Sequence, residues 1–232
     1  MSGIARRKLY EEVLDRLVAA IGAAEFPPGT QLPSERELMA RYGVGRPAVR
    51  EAMLTLQQWG LIRISHGERA RVVTPTPDAI VEGVSGAMVS MLAADPRGLD
   101  NLKEARRMLE VGLVRLAVRR ATVAHLAALD EAQRALVAAA GDRGAFVAAD
   151  MAFHGLIAEI SGNTIIAATT RGLLGWLTRF KADLVSVRGA ERLTIAEHER
   201  IRRAIAAGDA DAAAEAMTAH LTRADALYAQ LV

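Results

Sequence analysis

Leu9, Val13, Leu17 and Ile21 recur at four-residue steps and predict an amphipathic helix over about residues 4–24. The stretch FPPGTQLPS follows, too rich in proline and glycine to continue it. Ser34 with Glu37 three residues later has the pattern of a capping box and opens a short helix through Met39 to about Arg41. Tyr42-Gly43-Val44-Gly45 makes a tight turn. A helix from Arg46 to about Trp59 comes next, with Gly60 as its stop and Val49, Met53, Leu54 and Leu56 as its core-facing residues. LIRI and RARVV read as two short strands around HGE. Helix, helix, turn, helix and β-hairpin is the order of a winged helix-turn-helix.

The pattern changes at VVTPTPDAI, Val72 to Ile80, where two prolines and two threonines read as a linker. Beyond it the periodicity is helical almost to the end. Seven segments are predicted, at about 78–94, 99–120, 122–140, 143–161, 163–182, 189–207 and 209–230. Breaks at Asp95-Pro96, Thr122, Gly141-Asp142, Gly162 and Gly189 carry stop or cap chemistry. Connections this short join antiparallel neighbours. The expected fold is mainly α: a winged helix-turn-helix over 1–73, a linker over 74–78, and an all-α antiparallel bundle over 79–232.

Composition narrows this picture. Of 232 residues 51% are hydrophobic and 4% aromatic, enough for a core and better suited to close-packed helices than to sheets. There is no cysteine, so disulfides and thiolate metal sites are excluded and a metal must use His and carboxylate. The opening MSGIARRKLYEEVLDRL is too charged for a secretory signal, and no run is apolar enough to span a bilayer. A cytoplasmic protein is expected. Net charge is only +2, but residues 1–73 hold eleven Lys/Arg against eight Asp/Glu, while the remainder is nearly neutral. A basic head on a neutral body is compatible with nucleic-acid binding.

Candidate chemistry falls in both regions. Arg46 and Arg50 lie one turn apart, on one face at the start of the second helix of the pair. That end enters the major groove in a helix-turn-helix, where Arg can bridge guanine O6 and N7 or clamp phosphate. In the body, Asp150 and His154 share a helix face at i and i+4, and Phe153, Leu156, Ile157 and Ile160 place that face near the apolar sector. His198 and His220 stand eleven residues to either side of Asp209 in the pair Gly208-Asp209, a helix stop followed by a helix start. An antiparallel hairpin there brings both histidines level, roughly 16 Å from the turn. Three imidazoles and a carboxylate suit Zn²⁺, with Ni²⁺ or Mn²⁺ as alternatives. The opposing reading is a satisfied core His154 and a coincidental histidine pair. His125 is expected to be exposed. Trp176 with Leu173, Leu177 and Phe180 reads as core or subunit interface, and Asn163 as a helix cap within reach of a cavity.

Two family resemblances bear on these residues. PPGTQLPSERELMARYGVGRPAVREAMLTLQQWGLI resembles the DNA-binding head of the GntR superfamily of bacterial transcription regulators, over about residues 9–73. The resemblance implies DNA contacts by Arg36, Arg46 and Arg50, and by His66 with Gly67 at the tip of the wing. Three departures stand out. Gly45 replaces a capping Ser. Pro47-Ala48 replaces a polar pair, which implies an altered operator preference. Glu68-Arg69-Ala70-Arg71 replaces the usual end of the wing. Residues 80–230 resemble the all-helical FCD domain of the FadR-like subgroup through EARRMLEVGLVRLAVRRAT, DMAFHGLIAEISGN, EHERIRRAI and GDADAAAEAMTAHL. That resemblance implies a divalent metal on Asp150, His154, His198 and His220, with a small carboxylic acid effector beside it. It also implies that Arg106 faces the effector; the alternative for Arg106 is a surface salt bridge with Glu110.

The function these readings converge on is a homodimeric, ligand-responsive DNA-binding transcription regulator, acting as a repressor and not as an enzyme. Two other classes stay open at this point: a small metallohydrolase using metal-bound water, and a helical adaptor with inert histidines.

Overall fold

A computed structural model describes residues 8–65, 68–180 and 191–229, with side chains of Phe180 and of residues 224–229 left aside. The chain forms two compact units, Met1–Gly83 and Val84–Val232.

In the first unit α1 (Leu9–Gly22) packs on α3 (Arg46–Gln58), and α2 (Glu35–Tyr42) packs on α3 in turn. Val13, Leu17, Leu38, Val49, Met53 and Leu56 are buried and form the core with Leu32, Ile62 and Val72. Two expected core residues are not there. Leu54 is 55% exposed: Val49, Met53 and Leu56 hold the buried face, and a residue one step past Met53 is turned about 100° away from it. Leu9 is 60% exposed, because a strict four-residue step drifts about 40° per turn and carries the first residue off the face. The capping box is present, with Ser34 Oγ accepting from Glu37 N–H and Glu37 accepting from Ser34 N–H at 2.7 Å. Gly43 ends α2 at φ +65°, the left-handed turn that separates the paired helices. The wing is β1 (Ile62–Arg63) against β2 (Arg71–Val72), antiparallel, with Ile62 opposite Val72. The Pro-Gly loop is tied to it, since Gly29 N–H donates to Val72 carbonyl and Leu32 N–H to Ala70 carbonyl. His66 and Gly67, at the expected tip, lie outside the described residues, as do the ends of the helices expected to reach 182 and begin at 189.

The division between the units falls inside α4 (Pro77–Ala94), which begins within the expected linker. Pro77 suits a first helical position, and Thr76 Oγ1 accepts from Ala79 N–H.

The second unit continues with α5 (Gly98–Arg120), α6 (Val123–Ala138), α7 (Arg143–Ile160), α8 (Thr164–Phe180), α9 (Glu191–Ala206) and α10 (Ala210–Ala229). The long α5 packs against α7, α8, α9 and α10, and α6 closes the bundle against α7 and α9. Leu113, Val114, Phe153, Ile157, Ile160, Ile201, Ile205 and Met217 fill the interior. Alanines at 117, 158, 204, 213, 214 and 216 let the helices approach. The α9–α10 hairpin turns at Gly208, φ +75°, and Asp209 caps α10 by accepting from Ala212 N–H at 2.9 Å. Among the described residues no helix is long and apolar enough to cross a membrane.

Candidate metal centre and DNA-reading face

α7, α9 and α10 each turn part of one polar cluster into the bundle. Asp150 and His154 come from α7, His198 from α9 and His220 from α10. All four are buried, and one ligand atom from each lies within 4.8 Å of the others. His154 Nε2 is 3.2 Å from His220 Nε2, His198 Nε2 is 3.4 Å from His220 Nε2, and His198 Nε2 is 3.1 Å from Asp150 Oδ1. Phe153 stacks on the His198 ring at 4.2 Å. The levelled histidines of the hairpin and the i, i+4 pair of a third helix therefore meet.

Their outward ring nitrogens differ. His154 Nδ1 lies against Glu110 Oε2, and His220 Nδ1 is 2.8 Å from Glu197 Oε2. Each glutamate is held by an arginine. Arg106 Nε donates to Glu110 Oε1 at 2.6 Å, and Arg223 donates through Nε and Nη2 to the two oxygens of Glu197, each at 2.6 Å. Arg106 and Glu110 do form their i, i+4 pair, but at 5% and 2% exposure it is buried, not on the surface. Burial opposes ionisation of Glu110, yet the Arg106 guanidinium and the hydrogen-bonding contact of the His154 ring outweigh it and hold its pKa at about 2. The same opposition at Asp150, with His198 as the main counterweight, leaves its carboxyl well below the ordinary range. Burial pushes His198 down to about 4, despite Asp150, and lowers His220 as well. Both imidazoles are neutral near pH 7.

Glu197 and Arg223 are not among the residues the sequence singles out. Glu197 precedes His198, so it appears as one more charge in EHERIRR; only the packing of α9 on α10 gives it a partner. Asn163 is exposed and its Oδ1 accepts from the N–H groups of Ile165 and Ile166, so it caps α8. His125 is half-buried and not exposed as expected: it completes a capping box with Thr122 at the start of α6. Leu173 and Leu177 are buried beside Trp176, whose indole N–H donates to Ser85 Oγ at 2.9 Å.

On the first unit Arg36 is exposed on α2, and Arg46 and Arg50 project from the first turns of α3 with side chains 65% and 63% exposed. Glu35 stands between the last two, 3.4 Å from Arg46 Nε and 3.6 Å from Arg50 Nε. One carboxylate thus gathers both guanidinium groups at one edge of α3.

Comparison with known proteins fits this arrangement. The model of the FCD domain matches residues 101–223, and that of bacterial regulatory proteins of the gntR family matches residues 9–72. The HTH-type transcriptional repressor NanR of Klebsiella aerogenes is 39% identical over 230 residues, covering 98% of this chain and 88% of that repressor. The NanR repressor of Citrobacter rodentium is 39% identical over 227 residues, covering 97% and 87%. Among solved structures, the GntR of Streptococcus agalactiae superposes with a TM-score of 0.65 over 92% of this chain and 97% of that one; at 24% identity this likeness speaks to the fold. Winged head and helical sensor bundle together define a ligand-responsive DNA-binding transcription regulator, not a metallohydrolase or an adaptor. More narrowly, the chain belongs to the GntR family of bacterial regulators, with an FCD domain as its second part.

Proposed function

We propose that this regulator is a homodimeric repressor whose bundle carries a divalent metal on Asp150, His154, His198 and His220 and senses a small carboxylic acid. The reading rests chiefly on the convergence of the four ligand atoms. Ligands about 2.0–2.1 Å from a common ion in a tetrahedral arrangement stand about 3.3–3.4 Å apart. The 3.1, 3.2 and 3.4 Å contacts fall around that spacing. The ring chemistry agrees. A carboxylate at Nδ1 selects the Nδ1–H tautomer of neutral imidazole and leaves Nε2 as an acceptor. In that form His154 and His220 would aim two lone pairs at each other across 3.2 Å, an arrangement a cation relieves. The set of three imidazoles and one carboxylate favours Zn²⁺ and also accepts Ni²⁺ or Mn²⁺. A metal bound there could take a carboxylate by expanding its coordination beyond the four protein ligands. Arg106, buried beside the cluster through Glu110, adds a cation with bidentate fit to the same group.

On the head, Arg46 and Arg50 read base edges or phosphates in the major groove, with Arg36 beside them and His66 and Gly67 at the wing. A homodimer follows from the need to read two half-sites. Repression is the action named for the NanR relatives. The effector regulates only if it binds the DNA-competent and DNA-incompetent arrangements with different affinity. Such a protein works where its DNA is, in the cytoplasm.

Elemental and mass-spectrometric analysis of the purified full chain tests the centre directly. One divalent metal per chain is expected, and His198→Ala should lower both that content and the melting temperature, because metal binding is linked to folding. Equal metal content in the variant and the parent removes the four-ligand site.

A further inference from the structure

The three histidines of the cluster are not held alike. His154 and His220 each meet a glutamate at Nδ1, and each glutamate is clamped by an arginine. His198 is different: the carboxylate it meets, Asp150, lies at Nε2, no carboxylate stands against its buried Nδ1 among the described residues, and the ring stacks on Phe153. The two clamps come from different places. Arg106 and Glu110 lie one turn apart on α5 and reach His154 on α7. Glu197 lies on α9 but points across to His220 on α10, where Arg223 one turn later completes the clamp and Thr194 Oγ1 accepts from it at 3.0 Å. Consecutive residues of α9 thus take two roles, since neighbours on a helix diverge by about 100°. His198 turns into the cluster and Glu197 steers its neighbour.

We infer that Glu110 and Glu197 are positioning residues that fix the tautomer and aim of His154 and His220 toward a shared cation, a support that His198 lacks. This rests on the metal-centre reading above. A carboxylate at Nδ1 orients the ring and raises the basicity of Nε2. The arginines keep each carboxylate ionised and fixed in place. Glu110 also ties Arg106 to His154, so an anion drawn to Arg106 pulls on the same carboxylate that orients a ligand.

The test uses the full chain stripped of metal with a chelator and titrated with Co²⁺, read by visible absorption and chelator competition. Glu110→Gln and Glu197→Gln should each weaken Co²⁺ binding by about 10–100-fold while the parent takes up one equivalent. Gln keeps the shape and an acceptor oxygen and removes the charge. A double-mutant cycle separates positioning from general destabilisation. In a His154→Ala background Glu110→Gln should cause no further loss, whereas Glu197→Gln should still cause its own. Should Glu110→Gln fail to fold, with Arg106 buried beside a neutral amide, the less buried Glu197→Gln decides, with loss in the His154→Ala background and none in a His220→Ala background. Parent-like Co²⁺ affinity in both variants overturns the inference and leaves the metal centre standing. The same losses in backgrounds lacking the histidine each glutamate touches would also overturn it. A parent chain that takes up no Co²⁺ defeats both the centre and its positioning.

Discussion

His198 is fully buried, stacked on a phenylalanine and flanked by two other imidazoles, and these surroundings make it a poor base. Its pKa falls from 6.5 to about 4, chiefly through burial. The sign of the consequence is fixed. Between those values the unfolded chain binds a proton that the folded chain refuses, so stability drops as pH falls from 6.5 toward 4. His220, also lowered by burial, adds to the loss. Urea unfolding of metal-free protein at pH 7.5, 6.5, 5.5 and 4.5 should show a midpoint that declines across this window. His198→Asn, which cannot charge there, should flatten the decline. A midpoint independent of pH in the parent would mean that the ring does not enter the folded state neutral. At this scale the sequence revealed the four residues that cluster but not the groups that support them. Asp150 and His154 are legible because i, i+4 spacing fixes a shared face, and His198 and His220 because both are measured from one turn. Glu197 and Arg223 are not, because their meeting depends on the rotation of two helices about their own axes, which no local pattern encodes.

Elements were legible where a backbone requirement is local. Gly43 and Gly208 occupy left-handed positions at φ +65° and +75°, and Ser34, Thr122, Asp142 and Asp209 each cap the helix that follows. The break between α4 and α5 was legible as Asp95-Pro96, yet the tightest constraint there is Gly98. A β-carbon at this position would stand 2.1 Å from the Leu92 carbonyl oxygen and 2.9 Å from its carbon. That is backbone, which cannot swing aside as a side chain would. Gly98→Ala should therefore destabilise the protein by about 1–3 kcal/mol, the usual scale of overpacking. In an exposed helix interior the same change ordinarily stabilises, by about 0.5–1 kcal/mol, so the sign decides. An unfolding midpoint in Gly98→Ala at or above that of the parent would show that α4 and α5 can part at no loss. The close approach is invisible in the sequence, since a glycine at a helix start has several common uses.

For the whole molecule, net charge says almost nothing about DNA and the placing of charge says more. The chain carries only +2, yet Arg46 and Arg50 stand together on α3, well exposed, with Glu35 between them. Glu35 lowers the repulsion of two cations held close before any DNA arrives. If these arginines read DNA, binding exchanges that pairing for contacts to bases and phosphates, so they should act on specificity and salt dependence more than on fold. A duplex selected from a randomised library by the parent supplies the probe. Arg46→Ala and Arg50→Ala should each weaken binding to it by about 1–3 kcal/mol, or roughly 5–150-fold, with unfolding midpoints near that of the parent. If the arginine contacts a base, discrimination at one position should collapse while the slope of log K against log salt stays nearly constant. If it contacts phosphate, affinity should fall on all sequences alike and the slope should decrease by about 0.9. Pro47 and Ala48 carry no side-chain donor, so the first turn of α3 has few other groups that can take over the lost contact. Binding of both variants at parental affinity would place the DNA-reading face elsewhere on the winged head.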